Sequence, residues 1–166
     1  SFGDYSSTLT QALAVLALAR VDSVEPSAEA IAFLRSQACD DGGFREDPDA
    51  DDCTSSVDTT GYAIQAVAAV DESDLVTAAA EWLRSQQGPN GALADNANST
   101  ALGVVAFELA GQTDEADRGR DHLVDLQVAC GTEDAGAVRY DPAGSGDLVR
   151  ATSQAVLGLT GTSLAQ

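Results

Sequence analysis

Between residues 47 and 58 the chain carries Asp47-Pro48-Asp49-Ala50-Asp51-Asp52 and, eleven residues after Asp47, Asp58. Carboxylates at alternate positions of a flexible turn point to one side, the arrangement in which a hard cation such as calcium gathers several oxygens. The spacing departs from a helix-loop-helix calcium site at two places. Asp52 stands where glycine makes the sharp turn, and Asp58 where a longer Glu would chelate. Pro48 stiffens the same segment. Asp47, Asp49, Asp51 and Asp52 are therefore candidate calcium ligands, set against the plainer reading of a solvated acidic loop.

Other reaction chemistry has little to work with. A single histidine, His122, rules out a defensible Ser-His-Asp arrangement. Gly42-Gly43 follows an expected helix rather than opening one, so it does not read as a phosphate cradle. Cys39 and Cys53 bracket the acidic loop, and a helix-turn-helix path brings the loop ends together. A disulfide between them is expected, worth roughly 3 kcal/mol in the chain-entropy model. That bond implies an oxidising compartment, so the protein reads as secreted or held at the cell surface. Cys130 is left over, which suggests burial or a partner outside the chain.

The elements that hold these residues repeat. Leu34-Arg35-Ser36-Gln37 returns letter for letter as Leu83-Arg84-Ser85-Gln86, and a weaker copy reads His122-Leu123-Val124-Asp125-Leu126-Gln127. Each copy closes an apolar stretch and runs into a glycine turn, at Gly42-Gly43-Phe44, Gly91-Ala92-Leu93 and Gly136-Ala137-Val138. A period of forty to fifty residues marks a repeat architecture whose units bury their apolar faces against one another. Helices apolar on nearly all sides are expected at Thr8 to Val21, Val57 to Val70, Asn98 to Ala110 and Leu148 to Leu159, the last stopping at Gly161. Amphipathic helices are expected at Ala28 to Gln37, Ser73 to Gln87 and Thr113 to Gln127. Ser27 reads as the cap of the second helix, Asp58 or Thr59 of the third, and Asn98 or Ser99 of the fifth. Tyr5, Tyr62, Trp82 and Phe107 read as core, and His122 as a partly exposed helix residue. Glycine after each outer helix is expected to supply its left-handed terminal residue.

The result is an all-α fold, read as one domain over 1–166. Its repeat units run approximately 1–44, 57–93 and 98–138, with a final inner helix at 148–161. Small residues recur along the inner helices at Ala63 and Ala66, Gly103 and Ala106, and Ala155 and Gly158, which lets helix axes approach closely. The net charge of −19, with eight arginines and no lysine against 27 acids, opposes nucleic acid and anionic membranes as partners. No apolar run approaches the roughly 20 residues that cross a bilayer. The start at Ser1, with no basic segment ahead of an apolar stretch, is what a processed chain would show.

Phe33-Leu34-Arg35-Ser36-Gln37, the Asp40-Asp41-Gly42-Gly43-Phe44 turn and Val57-Asp58-Thr59-Thr60-Gly61-Tyr62-Ala63 resemble the repeat of prenyltransferase β-subunits and squalene cyclases. The resemblance covers nearly the whole chain. It implies an (α/α) toroid-like repeat, here about three and a half helix hairpins forming an open arc or partial barrel. A closed ring of that type needs about six helix pairs, so self-association to complete the toroid is one expectation. The resemblance also implies where chemistry would sit. A terpene cyclase protonates its substrate with the middle acid of an Asp-x-Asp-Asp motif at an inner helix start. Asp49-Ala50-Asp51-Asp52 matches by letter but falls in the loop, and the aligned segment Ser55-Ser56-Val57-Asp58-Thr59 keeps only Asp58 as a weak catalytic candidate. A prenyltransferase zinc site would draw on Asp51-Asp52-Cys53 and His122, yet Cys53 is claimed by Cys39 and His122 lies within an outer helix.

The expectation is therefore a secreted or cell-surface binding or structural module without its own catalytic site, acting on an unknown protein or small molecule. Its ligand-binding residues would be those at the inner-helix starts: Asp58, Thr59 and Thr60; Asn98 and Ser99 with Thr100; Arg150 and Thr152. There free amide donors gather, and Arg150 is the one rim cation. The same hydroxyls and amides can instead simply cap their helices. The alternatives are a terpene cyclase or prenyltransferase-type enzyme subunit, or a carrier of small molecules in the manner of cobalamin carriers.

Overall fold

Short polar side chains set where the helices begin. In the computed structural model, which describes residues 6–165, Ser7 accepts the amide of Thr10 (3.1 Å) and Thr10 returns its hydroxyl to the Ser7 amide (3.0 Å). This reciprocal box opens α1, Thr8–Ala19. Ser27 opens α2, Ala28–Arg35, by accepting from Ala30 as expected. Ser56 opens α3, Val57–Ala68, and Asn96 opens α5, Ala97–Leu109. Asp147 opens α7, Leu148–Thr160, and Gly161 closes it in the left-handed conformation. Between them lie α4, Ser73–Gln86, and α6, Thr113–Asp125. The described residues thus form seven helices and no strand, only isolated bridges in the turns.

Two expected caps are corrected. Asp58 and Thr59, and likewise Asn98 and Ser99, are already inside their helices. A cap needs extended backbone, and Ser56 (ψ 133°) and Asn96 (ψ 158°) have it. Several helices also end a residue or two early. α2 stops at Arg35 because Gln37 already donates to Leu34 three residues back, beginning the turn. Left-handed glycine does not end two of the amphipathic helices either: α2 and α6 close on right-handed Ser36 and Leu126, and the positive-φ Gly42, Gly91 and Gly136 sit in turns beyond the amphipathic helices.

The chain divides into two compact units, residues 6–85 with 163–165, and residues 86–162. In the first, α1 packs on α2 and α3, around Ala12, Val15, Leu16, Leu34, Phe44, Ile64 and Val67, all buried. Leu164 returns to this unit through its amide, which donates to Gln65 Oε1 (2.9 Å). α1 is not buried on all sides: Leu13 is 37% exposed and Leu18 also faces out. Only one stripe of this helix has α2 and α3 to cover it, so its all-round apolar sequence outruns its neighbours.

In the second unit α5 packs on α6 and α7, and α6 also touches α7. Every α5 residue from Ser99 to Phe107 is buried. Small residues set the spacing, as their recurrence implies. A Cβ on Gly158 would stand 2.8 Å from Ala101 Cα, and one on Gly119 would stand 2.6 Å from Val104 Cγ2. Arg120 joins α6 to α5 by pairing with Glu108, besides Asp117 on its own helix (2.7 Å). Of the aromatics read as core, Phe107 is buried and Tyr62 and Trp82 are half-buried; Tyr5 lies outside the described residues.

Candidate functional site

One hydrogen-bonding pattern recurs at the helix starts. Thr60 on α3 accepts the backbone amide of Phe44 (2.8 Å), Thr100 on α5 that of Leu93 (2.9 Å), and Thr152 on α7 that of Val138 (3.0 Å). Thr100 and Thr152 pass their own protons to the carbonyls of Asn96 and Leu148, four residues back (both 2.7 Å). Phe44, Leu93 and Val138 each follow a glycine turn and are buried. A threonine hydroxyl therefore fastens each turn to the helix after it. Without that hydroxyl a buried amide would lose its partner, at a cost of roughly 1–3 kcal/mol.

The ligand candidates divide accordingly. Thr60 and Thr152 have hydroxyls engaged inside the fold. Ser99 is buried, its amide donating to Asn96 Oδ1 (2.9 Å) and its hydroxyl meeting Asn96 Nδ2 (3.1 Å). Asp58 and Arg150 are exposed, and the Arg150 amide donates to the Asp147 cap (2.7 Å). Thr59 Oγ1 and Asn98 Oδ1 are buried without a protein hydrogen-bond partner. Asp58, Thr59 and Thr60 fall in the first unit; Asn98, Ser99, Arg150 and Thr152 fall in the second.

The acidic loop is closed by the expected bond. Cys39 and Cys53 form a disulfide with Cα atoms 5.6 Å apart. Arg45 ties the loop from inside, donating through Nε to Gln37 Oε1 (3.0 Å) and through Nη1 to the Ala50 carbonyl (3.2 Å). Ala38, Cys39, Asp40, Asp41, Arg45 and Cys53 line an open hollow beside it. Asp47 accepts the Asp49 amide (2.9 Å), and Asp47, Asp49, Asp51 and Asp52 are all exposed. Among the described residues no three acid, His or Cys side chains gather in a way that could hold a metal ion. Cys130 is exposed, so burial does not account for the odd thiol.

His122 corrects its expected exposure. It is 6% exposed on α6, with Nε2 buried and no protein partner to it. Loss of hydration holds its pKa below the usual histidine value, against the opposing pull of Asp125 and Asp95. Gln87 also escaped the sequence reading. Its Nε2 bridges the carbonyls of Gly91 (3.1 Å) and Glu115 (3.0 Å), and its Oε1 accepts from Arg118 (2.9 Å), joining a turn to α6. The signal was present in the glutamine that ends each outer segment.

Neither a protein-family model nor a curated protein matches the chain. No helix among the described residues is long and apolar enough to cross a membrane.

Proposed function

We propose that the chain is an exported α/α-repeat module that works by presenting a rigid surface to a partner, without a catalytic site of its own. Its helix pairs are of the prenyltransferase and squalene cyclase type, each unit a portion of a toroid-like repeat. Three features support that architecture: apolar helices alternate with amphipathic ones, α1 packs on α3 and α5 on α7, and a threonine clip recurs. The Cys39–Cys53 bond supports export, since such bonds persist in oxidising compartments.

The observation that carries the reading is the engagement of Thr60, Thr100 and Thr152. Three of the hydroxyls that a ligand at the helix starts would want are spent on turn amides, which serves rigidity. Asp58, the acid at the cyclase position, is exposed, whereas a proton donor for an alkene needs a dry setting that favours the neutral acid.

Native mass spectrometry after incubation with isoprenoid diphosphates, squalene and cobalamin tests the proposal. The expected spectrum holds the unliganded mass alone. A cyclised isoprenoid isomer, separated by gas chromatography from the extracted incubation and abolished by Asp58→Asn, would overturn it in favour of an enzyme, and a stoichiometric cobalamin adduct in favour of a carrier. On the module reading Asp58→Asn leaves the ligand spectrum unchanged and removes a charge from the first turn of α3, whose dipole term is worth about 0.3–1 kcal/mol.

A further inference from the structure

Gly42, Gly91 and Gly136 hold one place in three turns. Each donates its amide to the carbonyl of the residue that opens the turn: Cys39 (2.9 Å), Gly88 (3.0 Å) and Val128 (2.9 Å). That opening residue returns its own amide to the carbonyl after the glycine, at Gly43, Ala92 and Ala137 (2.8, 2.8 and 2.7 Å). The residue before the glycine differs: Asp41, Asn90 and Ala135. In the first two turns its side chain completes the turn. Asp41 Oδ1 accepts the Gly43 amide (3.1 Å) and Asn90 Oδ1 the Ala92 amide (3.3 Å), each two residues on.

Glycine is fixed at both places. Gly42 and Gly91 have φ of 96° and 81°. A Cβ on Gly42 would stand 2.9 Å from the Ala78 carbonyl oxygen of α4, and one on Gly91 would overlap the Arg118 carbonyl of α6. The second turn therefore joins a carboxamide to a backbone nitrogen that no side chain shields, the pairing from which asparagine loses ammonia. Base takes the proton from the Gly91 nitrogen, which then bonds to Asn90 Cγ. The bond from Cγ to the amide nitrogen breaks, and ammonia leaves after taking up a proton. Water opens the resulting succinimide at one of its two carbonyls. One product is an ordinary aspartate at position 90; the other is an isoaspartate, whose main chain runs through the side-chain carbons.

We infer that Asn90 is a deamidation site that the native turn holds shut. Three restraints oppose the attack. The proton that must leave the Gly91 nitrogen is bonded to the Gly88 carbonyl, Gly91 is buried against Arg118, and the Asn90 carboxamide is held by the Ala92 amide. Asn90 itself is exposed, so base and water reach it once the turn opens. Thr100 fastens the far side of the turn by accepting the Leu93 amide. The reaction proceeds from the opened turn, at a rate set by how often it opens. The other two asparagines, Asn96 and Asn98, precede Ala97 and Ser99, which carry side chains and belong to α5. Asn90 is such a site whether or not the chain is the module proposed above.

The two products affect the second unit differently. Aspartate at position 90 reproduces the first turn, where Asp41 already fills that place, so the unit keeps its stability. Isoaspartate lengthens the main chain just before Gly91. The bonds from Gly91 to Gly88 and from Gly88 to Ala92 cannot then be kept together with the close approach to Arg118.

The test incubates the full chain in warm, mildly alkaline buffer, native in one arm and unfolded in guanidinium chloride in the other. Cleavage after Arg84 and Arg118 releases residues 85–118, and chromatography with mass spectrometry separates the amide, aspartyl and isoaspartyl forms. The unfolded chain is expected to convert at Asn90 to both acids, and the native chain about tenfold more slowly or less. Native Thr100→Val should convert several-fold faster than native wild type, with circular dichroism confirming that it folds. Asn90→Asp should unfold at the wild-type urea midpoint. When the deamidated mixture is refolded and given a brief protease pulse in moderate urea, the isoaspartyl form should be cut first. Equal rates in the native and unfolded arms overturn the guarded site, as does conversion confined to Asn96 or Asn98; this wild-type comparison stands even if Thr100→Val fails to fold. A folded Thr100→Val no faster than wild type overturns the control by turn opening. A lowered midpoint for Asn90→Asp, or equal cutting of the two acids, overturns the difference between products.

Discussion

Gly91 and Arg118 meet backbone to backbone: there is no room for a methyl group between the Gly91 Cα and the Arg118 carbonyl oxygen. Gly91 is also left-handed, at φ 81°. Gly91→Ala therefore meets two costs, about 1–2 kcal/mol for the backbone conformation and about 1–3 kcal/mol for overlap in a packed contact. Gly136→Ala has the same φ class and, among the described residues, nothing within 4 Å of the added methyl, so it meets only the first. Urea denaturation should place Gly91→Ala about 3 kcal/mol below wild type and Gly136→Ala about 1 kcal/mol below. Equal losses would mean that the helix contact contributes nothing.

The threonine clip predicts an asymmetry between two conservative changes. Thr100→Val keeps shape but strands the buried Leu93 amide, with an expected loss of about 1–3 kcal/mol. Thr100→Ser keeps the hydroxyl and should lose less, through a missing methyl that touches the Gly119 position. Hydrogen exchange at the Leu93 amide is the direct readout: fast in the valine variant, protected in the serine variant.

Much of the helix framework was legible because its signals are local. Apolar periodicity marks all seven helices, and Cys39 and Cys53 could be paired because their turn had to fold back. The caps were misplaced because Ser55-Ser56-Val57-Asp58-Thr59 offers several hydroxyls and carboxylates in a row, and only backbone geometry selects Ser56. The exposure of Leu13, Val149 and Val156 was not legible, since an apolar stripe does not record whether anything covers it. His122 was misread for a related reason: its charged neighbours Asp121 and Asp125 on α6 are exposed while its own position is buried. The clips hid because Phe44–Thr60, Leu93–Thr100 and Val138–Thr152 differ in spacing, and a fixed-offset search passes over them.

The three cysteines should behave unequally. Cys39→Ser with Cys53→Ser removes the crosslink and is expected to cost about 3 kcal/mol on the loop-entropy estimate. Cys130→Ser, at an exposed position, should stay within about 0.5 kcal/mol of wild type. Thiol titration of the native oxidised protein should find one reactive group, lost in Cys130→Ser. Two or more would place the loop pairing in error.

His122 makes the second unit sensitive to acid. Burial holds its pKa below the ordinary histidine value, so between the two the unfolded chain binds the proton and the folded chain does not. Stability from the neutral imidazole is therefore full above about pH 6.5 and declines as the pH falls below it. The net charge of −19 works the other way, because protonating surface carboxylates relieves repulsion. A comparison with His122→Phe separates the two, since the surface charges are common to both chains. The Tm of wild type minus that of His122→Phe should fall between pH 7.5 and pH 5. A difference that stays flat would mean that His122 keeps its proton equilibrium unchanged on folding, and that water or a neighbouring group satisfies its buried Nε2.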